Sequence, residues 1–254
     1  MTWVAPFQAT GIDLNRIHTL TFAGSADVLL SGDLEYQYRR PGTVRKWALE
    51  RTDEPLMLFT QSVSAERAGY FPGIRSLAAS PDGARCAMVD ERVVRVVDVA
   101  TGEPIRVLDA FSDTCRCVAF APDGRQLAVG DYGGSVTLWE VQSGEKTATF
   151  EKHRLPILCL AFSPDGKFLA AGGGDESAPT WNQRLNGELR LWNVEDGRLV
   201  GQCAAVRSLL QDVDFNAQGT TIAAATLEGT VVLWDVNRLE GGRILRGHTG
   251  PVNA

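Results

Sequence analysis

Ser80-Pro81-Asp82-Gly83 returns as Ala121-Pro122-Asp123-Gly124 and again as Ser163-Pro164-Asp165-Gly166, about every 42 residues. Each copy is followed by a β-rich run: Val93-Val94-Arg95-Val96-Val97-Asp98, Ser135-Val136-Thr137-Leu138-Trp139-Glu140 and Glu188-Leu189-Arg190-Leu191-Trp192-Asn193. A fourth run, Thr230-Val231-Val232-Leu233-Trp234-Asp235, follows the degenerate turn Asn216-Ala217-Gln218-Gly219. A period of this length marks an array of small units that stack, because one unit alone cannot bury its apolar face.

Every unit reads alike. A short apolar strand such as Leu158-Cys159-Leu160-Ala161-Phe162 runs into the Pro-Asp-Gly turn, where Pro fixes φ and Asp and Gly suit a tight reversal. A second strand, a Gly-rich bend and the third strand follow. A further turn (Ala100-Thr101-Gly102, Gln142-Ser143-Gly144, Glu195-Asp196-Gly197) leads to a more polar fourth strand. Four short strands with frequent turn signals predict an all-β unit. The continuous apolar runs predict strands covered on both faces.

Composition narrows the function classes. The 254 residues carry a net charge of −6, which disfavours nonspecific binding to nucleic acid or to an anionic membrane. No signal-peptide pattern opens the sequence, and no apolar run approaches the roughly 18 residues of a membrane span. Cys86, Cys115, Cys117, Cys159 and Cys203 lack zinc-type spacing and read as reduced, buried thiols in a cytoplasmic protein. With only His18, His153 and His248 there is little material for a His-based triad. No P-loop, G-x-S-x-G elbow or H-E-x-x-H is present. Gly172-Gly173-Gly174 reads as a bend, and the pairs Asp90-Glu91 and Asp175-Glu176 as turn residues. The reading calls for no catalytic residue, metal or cofactor.

The Pro-Asp-Gly turns, Trp234-Asp235, its near matches Trp139-Glu140 and Trp192-Asn193, and Gly247-His248-Thr249-Gly250-Pro251-Val252 together resemble WD-repeat β-propellers. The resemblance implies four-stranded antiparallel blades arranged in a ring and a non-catalytic scaffold that binds proteins or peptides. A weaker first unit fits the same template, with Thr43-Val44-Arg45-Lys46-Trp47 as its third strand. Five blades result, at about 16–60, 74–109, 115–151, 156–204 and 209–246, after an N-terminal segment 1–15. Within that segment Thr2-Trp3-Val4-Ala5-Pro6-Phe7 is a candidate ring-closing strand. Residues 247–254 read as the start of a further repeat. Seven units of this size need about 300 residues, so the expectation is part of a seven-bladed ring completed by residues beyond Ala254, with a five-bladed ring as the alternative.

The resemblance assigns structural roles to Trp47, Trp139, Trp192 and Trp234, to the turn residues Asp82, Asp123 and Asp165, and to His153 and His248. Val97 stands in the Trp position of the second blade. Val129, Ala171 and Ala224 stand where the family often has Ser or Thr, so apolar packing is expected there in place of a hydrogen-bonded network.

Partner binding is expected on the side where the bends between second and third strands and the links between blades emerge. From turn Gly to Trp the run is 15 residues in the third and fifth blades but 26 in the fourth, an insert of 11 within 175–186. The first blade carries an insert of 6 around 35–41, and a long link runs from Gln61 to Gly73. Long loops on a rigid scaffold concentrate binding residues, and Trp, Tyr and Arg dominate interface hot spots. Tyr36, Tyr38, Arg39, Arg40, Tyr70, Phe71, Tyr132, Trp181 and Arg184 are therefore the candidate partner-binding residues. The alternative is a small-molecule or catalytic site at the mouth of the central channel, where His18, Arg75, Arg116 and Asp212 are the polar residues available.

Overall fold

A computed structural model describes residues 16–23, 27–34, 42–48, 56–60, 73–174, 187–206 and 208–252. The Thr2–Phe7 segment lies outside them. Among the described residues twenty strands form five four-stranded antiparallel sheets, each a simple meander. Blade 1 holds β1 (Arg16–Ala23), β2 (Val28–Leu34), β3 (Thr43–Ala48) and β4 (Leu56–Thr60). Blade 2 holds β5 (Leu77–Ala79), β6 (Arg85–Asp90), β7 (Val93–Asp98) and β8 (Pro104–Leu108). Blade 3 holds β9 (Cys115–Phe120), β10 (Gln126–Asp131), β11 (Val136–Glu140) and β12 (Lys146–Thr149). Blade 4 holds β13 (Ile157–Phe162), β14 (Phe168–Gly174), β15 (Gly187–Asn193) and β16 (Leu199–Val206). Blade 5 holds β17 (Leu210–Phe215), β18 (Thr221–Thr226), β19 (Thr230–Asp235) and β20 (Arg238–Arg246). The chain is an all-β array of propeller blades.

The repeated turns owe their shape to one acceptor and one glycine. In the Pro-Asp-Gly turns, Asp82, Asp123 and Asp165 each accept the N–H two residues on, from Ala84, Arg125 and Lys167. Gly83, Gly124 and Gly166 follow with φ near +70°, a conformation that costs a side-chain-bearing residue steric strain. In blade 5 Asn216 replaces that chemistry, its Oδ1 accepting from the Thr220 and Thr221 N–H groups, and Gly219 keeps φ +67°. The acidic or amide residue at the end of the third strand has the same kind of task. Asp98, Glu140, Asn193 and Asp235 each take backbone N–H groups of the turn that follows.

Register makes the blades equivalent position by position. Trp139 pairs with Leu127, Trp192 with Leu169, Trp234 with Ile222 and Trp47 with Leu29, while Val97 pairs with Cys86. The buried apolar residues do not fill the blades; they fill the junctions. One cluster joins Leu30, Val44 and Leu58 of blade 1 to Met88 and Val97 of blade 2, and a second joins Val94 and Val96 to Leu127 and Trp139. A third joins Val136, Leu138 and Phe150 to Leu169 and Trp192, and a fourth joins Leu189 and Leu191 to Ile222 and Trp234. A side chain at the root of each inner strand drives into the preceding blade. A methyl on Gly130 would lie 2.5 Å from Ile157 Cγ2, one on Gly32 would lie 2.9 Å from Ile74 Cγ2, and one on Gly172 would lie 3.1 Å from Leu210 Cβ.

The end faces differ. Phe22 of blade 1 is 56 % exposed, whereas Phe162 and Phe215 in the same register are buried. Leu20 beside it is 57 % exposed. At the other end Val231 and Leu233 are half-buried, where Leu189 and Leu191 of blade 4 are fully buried. His248 is exposed although its counterpart His153 is buried, because no sheet among the described residues covers that side of blade 5. The link 247–252 nevertheless follows the pattern of the links before it. The Val252 N–H donates to Thr226 O at 3.1 Å, as the Ile74 N–H donates to Asp33 O at 2.8 Å.

The junction packing yields a direct test. Gly130→Val should crowd Ile157 and lower stability by about 1–3 kcal/mol, read as a lower urea midpoint. The double variant Gly130→Val/Ile157→Ala should recover part of that loss.

Candidate functional site

The bends between second and third strands and the links between blades lie on one side of the array. Of the nine candidate partner-binding residues, Tyr36, Tyr38, Arg39, Arg40, Tyr70, Phe71, Trp181 and Arg184 lie outside the described residues. Tyr132 is described: it sits on the β10–β11 bend, 40 % exposed, with its N–H donating to Thr114 O at 2.8 Å. Next to it the buried Asp131 accepts the Ser135 N–H at 2.7 Å, and burial raises its carboxyl above the usual range. Gly134, at φ +85°, closes the bend against the His153 carbonyl, so the loops of blades 3 and 4 are seated on each other.

On the same side a cavity of about 420 Å³ opens at the junction of blades 3 and 4, lined by Glu151, Arg154, Leu155, Glu188, Arg190 and Gln202. It adjoins Gly187, the first residue of β15 after the fourth blade's insert. Its wall is a charged network. The Arg190 side chain, nearly buried, places Nε 2.7 Å from Glu188 Oε1 and Nη1 3.2 Å from Glu151 Oε1, and Nη1 donates to Lys152 O at 2.9 Å. The same register position holds Arg45 in blade 1 and Arg95 in blade 2, paired at 3.5 Å with Asp33 and Asp90 at the ends of their second strands. In blade 4 Gly173 stands where those aspartates stand, and Glu188 supplies the carboxylate from the third strand instead. The sequence reading missed this network. Its only signal was Glu188 and Arg190 two apart in an otherwise apolar strand.

The innermost strands of all five blades line a central channel, with His18, Arg75, Arg116 and Asp212 among its polar residues. Burial raises the Asp212 carboxyl. No group of three His, Cys, Asp or Glu side chains that could hold a metal ion occurs among the described residues. Among the described residues no helix is long and apolar enough to cross a membrane.

Residues 102–140, 144–182 and 197–235 match the family described as WD domain, G-beta repeat. Each matched segment begins near the outer strand of one blade and continues into the inner strands of the next. The chain belongs to the WD-repeat family. It is 27 % identical over 230 residues to the WD repeat-containing protein VIP3 of Arabidopsis thaliana, covering 89 % of this chain and 54 % of that protein. It is 38 % identical over 66 residues to the intraflagellar transport protein 122 homolog of Danio rerio, covering 26 % of this chain and 6 % of that protein. Against the apoptotic protease-activating factor 1 of Rattus norvegicus it is 24 % identical over 112 residues, 44 % of this chain and 9 % of that protein. The chain therefore spans about half the length of the first relative and small parts of the others. WD-repeat proteins are generally protein-interaction scaffolds.

The second matched repeat ends on Trp181-Asn182, where uninterrupted spacing would put the repeat's Trp. Strand pairing puts Trp192 there, opposite Leu169. Across these WD repeats the indole N–H is treated differently in each blade. Trp47 Nε1 donates to Ser31 Oγ at 2.8 Å and Trp139 Nε1 to Thr137 Oγ1 at 2.9 Å. Trp192 Nε1 is buried without a partner, because Ala171 stands where blade 1 has Ser31 and Arg190 where blade 3 has Thr137. The buried His153 ring rests 5.3 Å from the Trp192 ring, and its Nδ1 is 3.5 Å from Glu188 Oε2, too far for a well-formed hydrogen bond.

Two predictions follow from this junction. Ala171→Ser restores an acceptor for Trp192 Nε1 and should raise stability by about 1 kcal/mol, measured by denaturant unfolding. The second concerns acid. Burial outweighs the Glu188 contact and lowers the His153 pKa below 6.5. The contact with His153, and then Arg190, holds Glu188 down to about 2 from 4.5. Both groups are protonated more readily in the unfolded chain, so the stability they lend is present at neutral pH and falls with acid. The His153 part is lost below pH 6.5 and the Glu188 part between pH 4.5 and about 2. His153→Leu should reduce the drop in melting temperature between pH 7 and pH 5 and, because it removes the larger of the two contacts that lower Glu188, shrink the loss below pH 4.5 as well.

Proposed function

We propose that this protein is a non-catalytic scaffold that binds a protein or peptide on its loop-rich face, in the cytoplasm. The observation that carries the reading is the cavity between blades 3 and 4 on that face. Its charged wall is fixed in place by the Arg190 network, with exposed Tyr132 on the neighbouring bend and the foot of the fourth blade's insert at its edge. A rigid, polar concavity beside an aromatic side chain is the kind of surface on which a few residues carry most of the binding energy. The five cysteines are free and buried, which suits a reducing compartment, and the acidic net charge speaks against nucleic acid or an anionic membrane as the partner. The Val252–Thr226 bond supports continuation of the ring by residues beyond Ala254, because it repeats the bond through which blade 2 begins against blade 1.

The experiment is site-specific photo-crosslinking in an extract of the native source. A crosslinker at Tyr132 should give discrete protein adducts, while one at Asp123, on the opposite side, should not. Trp181→Ala combined with Tyr38→Ala should weaken those adducts by about tenfold with an unchanged melting temperature. Equal adducts from both sides, or adducts indifferent to the double variant, would remove the loop face as the binding surface.

A further inference from the structure

Arg190 is nearly buried, yet its hydrogen-bonding capacity is not exhausted. The arginines in the same register, Arg45 and Arg95, have side chains 37 % and 28 % exposed, whereas that of Arg190 is 6 % exposed. Its Nε donates to Glu188 Oε1 at 2.7 Å, and its Nη1 donates to Glu151 Oε1 at 3.2 Å and to Lys152 O at 2.9 Å. Its Nη2 donates to no group among the described residues, and it is not one of the sealed atoms without a partner. Arg190 lines the cavity between blades 3 and 4. With Nε and Nη1 covered by their acceptors, Nη2 is the part of the guanidinium that this cavity reaches.

Two further donors stand in the same wall. Arg154, on the link that leads into β13, is exposed, and its guanidinium has no acidic partner among the described residues. Gln202 lies opposite Arg190 on β16 and brings a side-chain amide. The carboxylates of the wall are already engaged. Glu188 gives Oε1 to Arg190 and Oε2 to the Arg154 backbone N–H at 3.3 Å, and Glu151 gives Oε1 to Arg190. A cation entering the cavity would compete with Arg190 for those oxygens. An anion would meet guanidinium groups from two separate elements, and hydrogen bonds between ionised partners are the strong ones. A donor left unmet in a nearly buried place is costly, and a ligand that brings an acceptor recovers that cost.

We propose that the cavity between blades 3 and 4 receives the carboxylate of an aspartate or glutamate side chain of the partner protein, held by Arg190 Nη2 and the Arg154 guanidinium, with the Gln202 amide as a third donor. The inference rests on the loop-face reading and names the chemistry which that face selects. The chain carries a net charge of −6, so an acidic segment is repelled over most of the surface. One carboxylate seated at this point therefore fixes the register of the partner more than it adds bulk affinity.

A display library of random nonapeptides is panned against the full chain, and selected peptides are titrated into isotope-labelled protein. The selected peptides should share one aspartate or glutamate, and replacing it with its amide should weaken them by about tenfold or more. The Arg190 Nε–H resonance, assigned through Arg190→Lys, should move to saturation with the parent peptide. Arg154→Gln changes an exposed side chain, so it should keep the melting temperature while weakening the peptides by about tenfold. Arg190→Lys keeps a charge beside Glu188 but lacks the Nη2 donor, and it should weaken them as well. The proposal is overturned if no peptide is selected, if the shared residue is basic or apolar, if the amide peptide or the Arg154→Gln protein binds as the parent does, or if the Arg190 resonance stays in place. Failure of this inference is distinguishable from failure of the loop face. Crosslinks from Tyr132 that persist undiminished in the Arg154→Gln protein would overturn the carboxylate contact and leave the face as the binding surface.

Discussion

Packing across blade junctions is the constraint on which this molecule depends. A four-stranded meander of this size has two apolar faces and no core of its own, and each of the four buried clusters draws its members from two consecutive blades. Stability in such an array is a sum over neighbours. The family's repeat boundaries express the same physics, since each matched segment ties the outer strand of one blade to the inner strands of the next. The exposure of Leu20 and Phe22, in positions that are buried further along the array, shows what a blade face is without its neighbour.

The parts of the fold legible in the sequence were those set by local chemistry. Proline, an Asx acceptor and a glycine at fixed offsets define a turn wherever they occur, so even Asn216-Ala217-Gln218-Gly219 could be placed. The Trp position in blade 4 was legible for a different reason. Uninterrupted spacing favours Trp181, but only Leu189-Arg190-Leu191-Trp192 carries the apolar run that a strand covered on both faces requires.

The rest depended on neighbours that the local sequence does not contain. His153 and His248 have the same flanking pattern, yet one is buried and one exposed, because burial is conferred by the adjoining sheet. Expecting simple apolar packing at Val129, Ala171 and Ala224 captured only half of the outcome. The donor those residues leave behind finds Thr137 in blade 3, nothing in blade 4, and lies against Gly242 in blade 5. Whether a small residue yields a tight junction or an orphaned polar atom is decided by the facing position on the third strand.

Blade 4 shows how a repeat departs from its template without losing its place in the array. Gly173 removes the carboxylate that pairs with the strand arginine in blades 1 and 2. A guanidinium left buried and unpaired there would be strongly destabilising. Glu188 and Glu151 replace it from two other elements, the first buried beside Arg190 and the second exposed at the rim of the cavity. On the same blade's outer strand Cys203 stands where blade 3 has Phe150, and Leu239 of β20 packs over it, its carbonyl meeting the thiol.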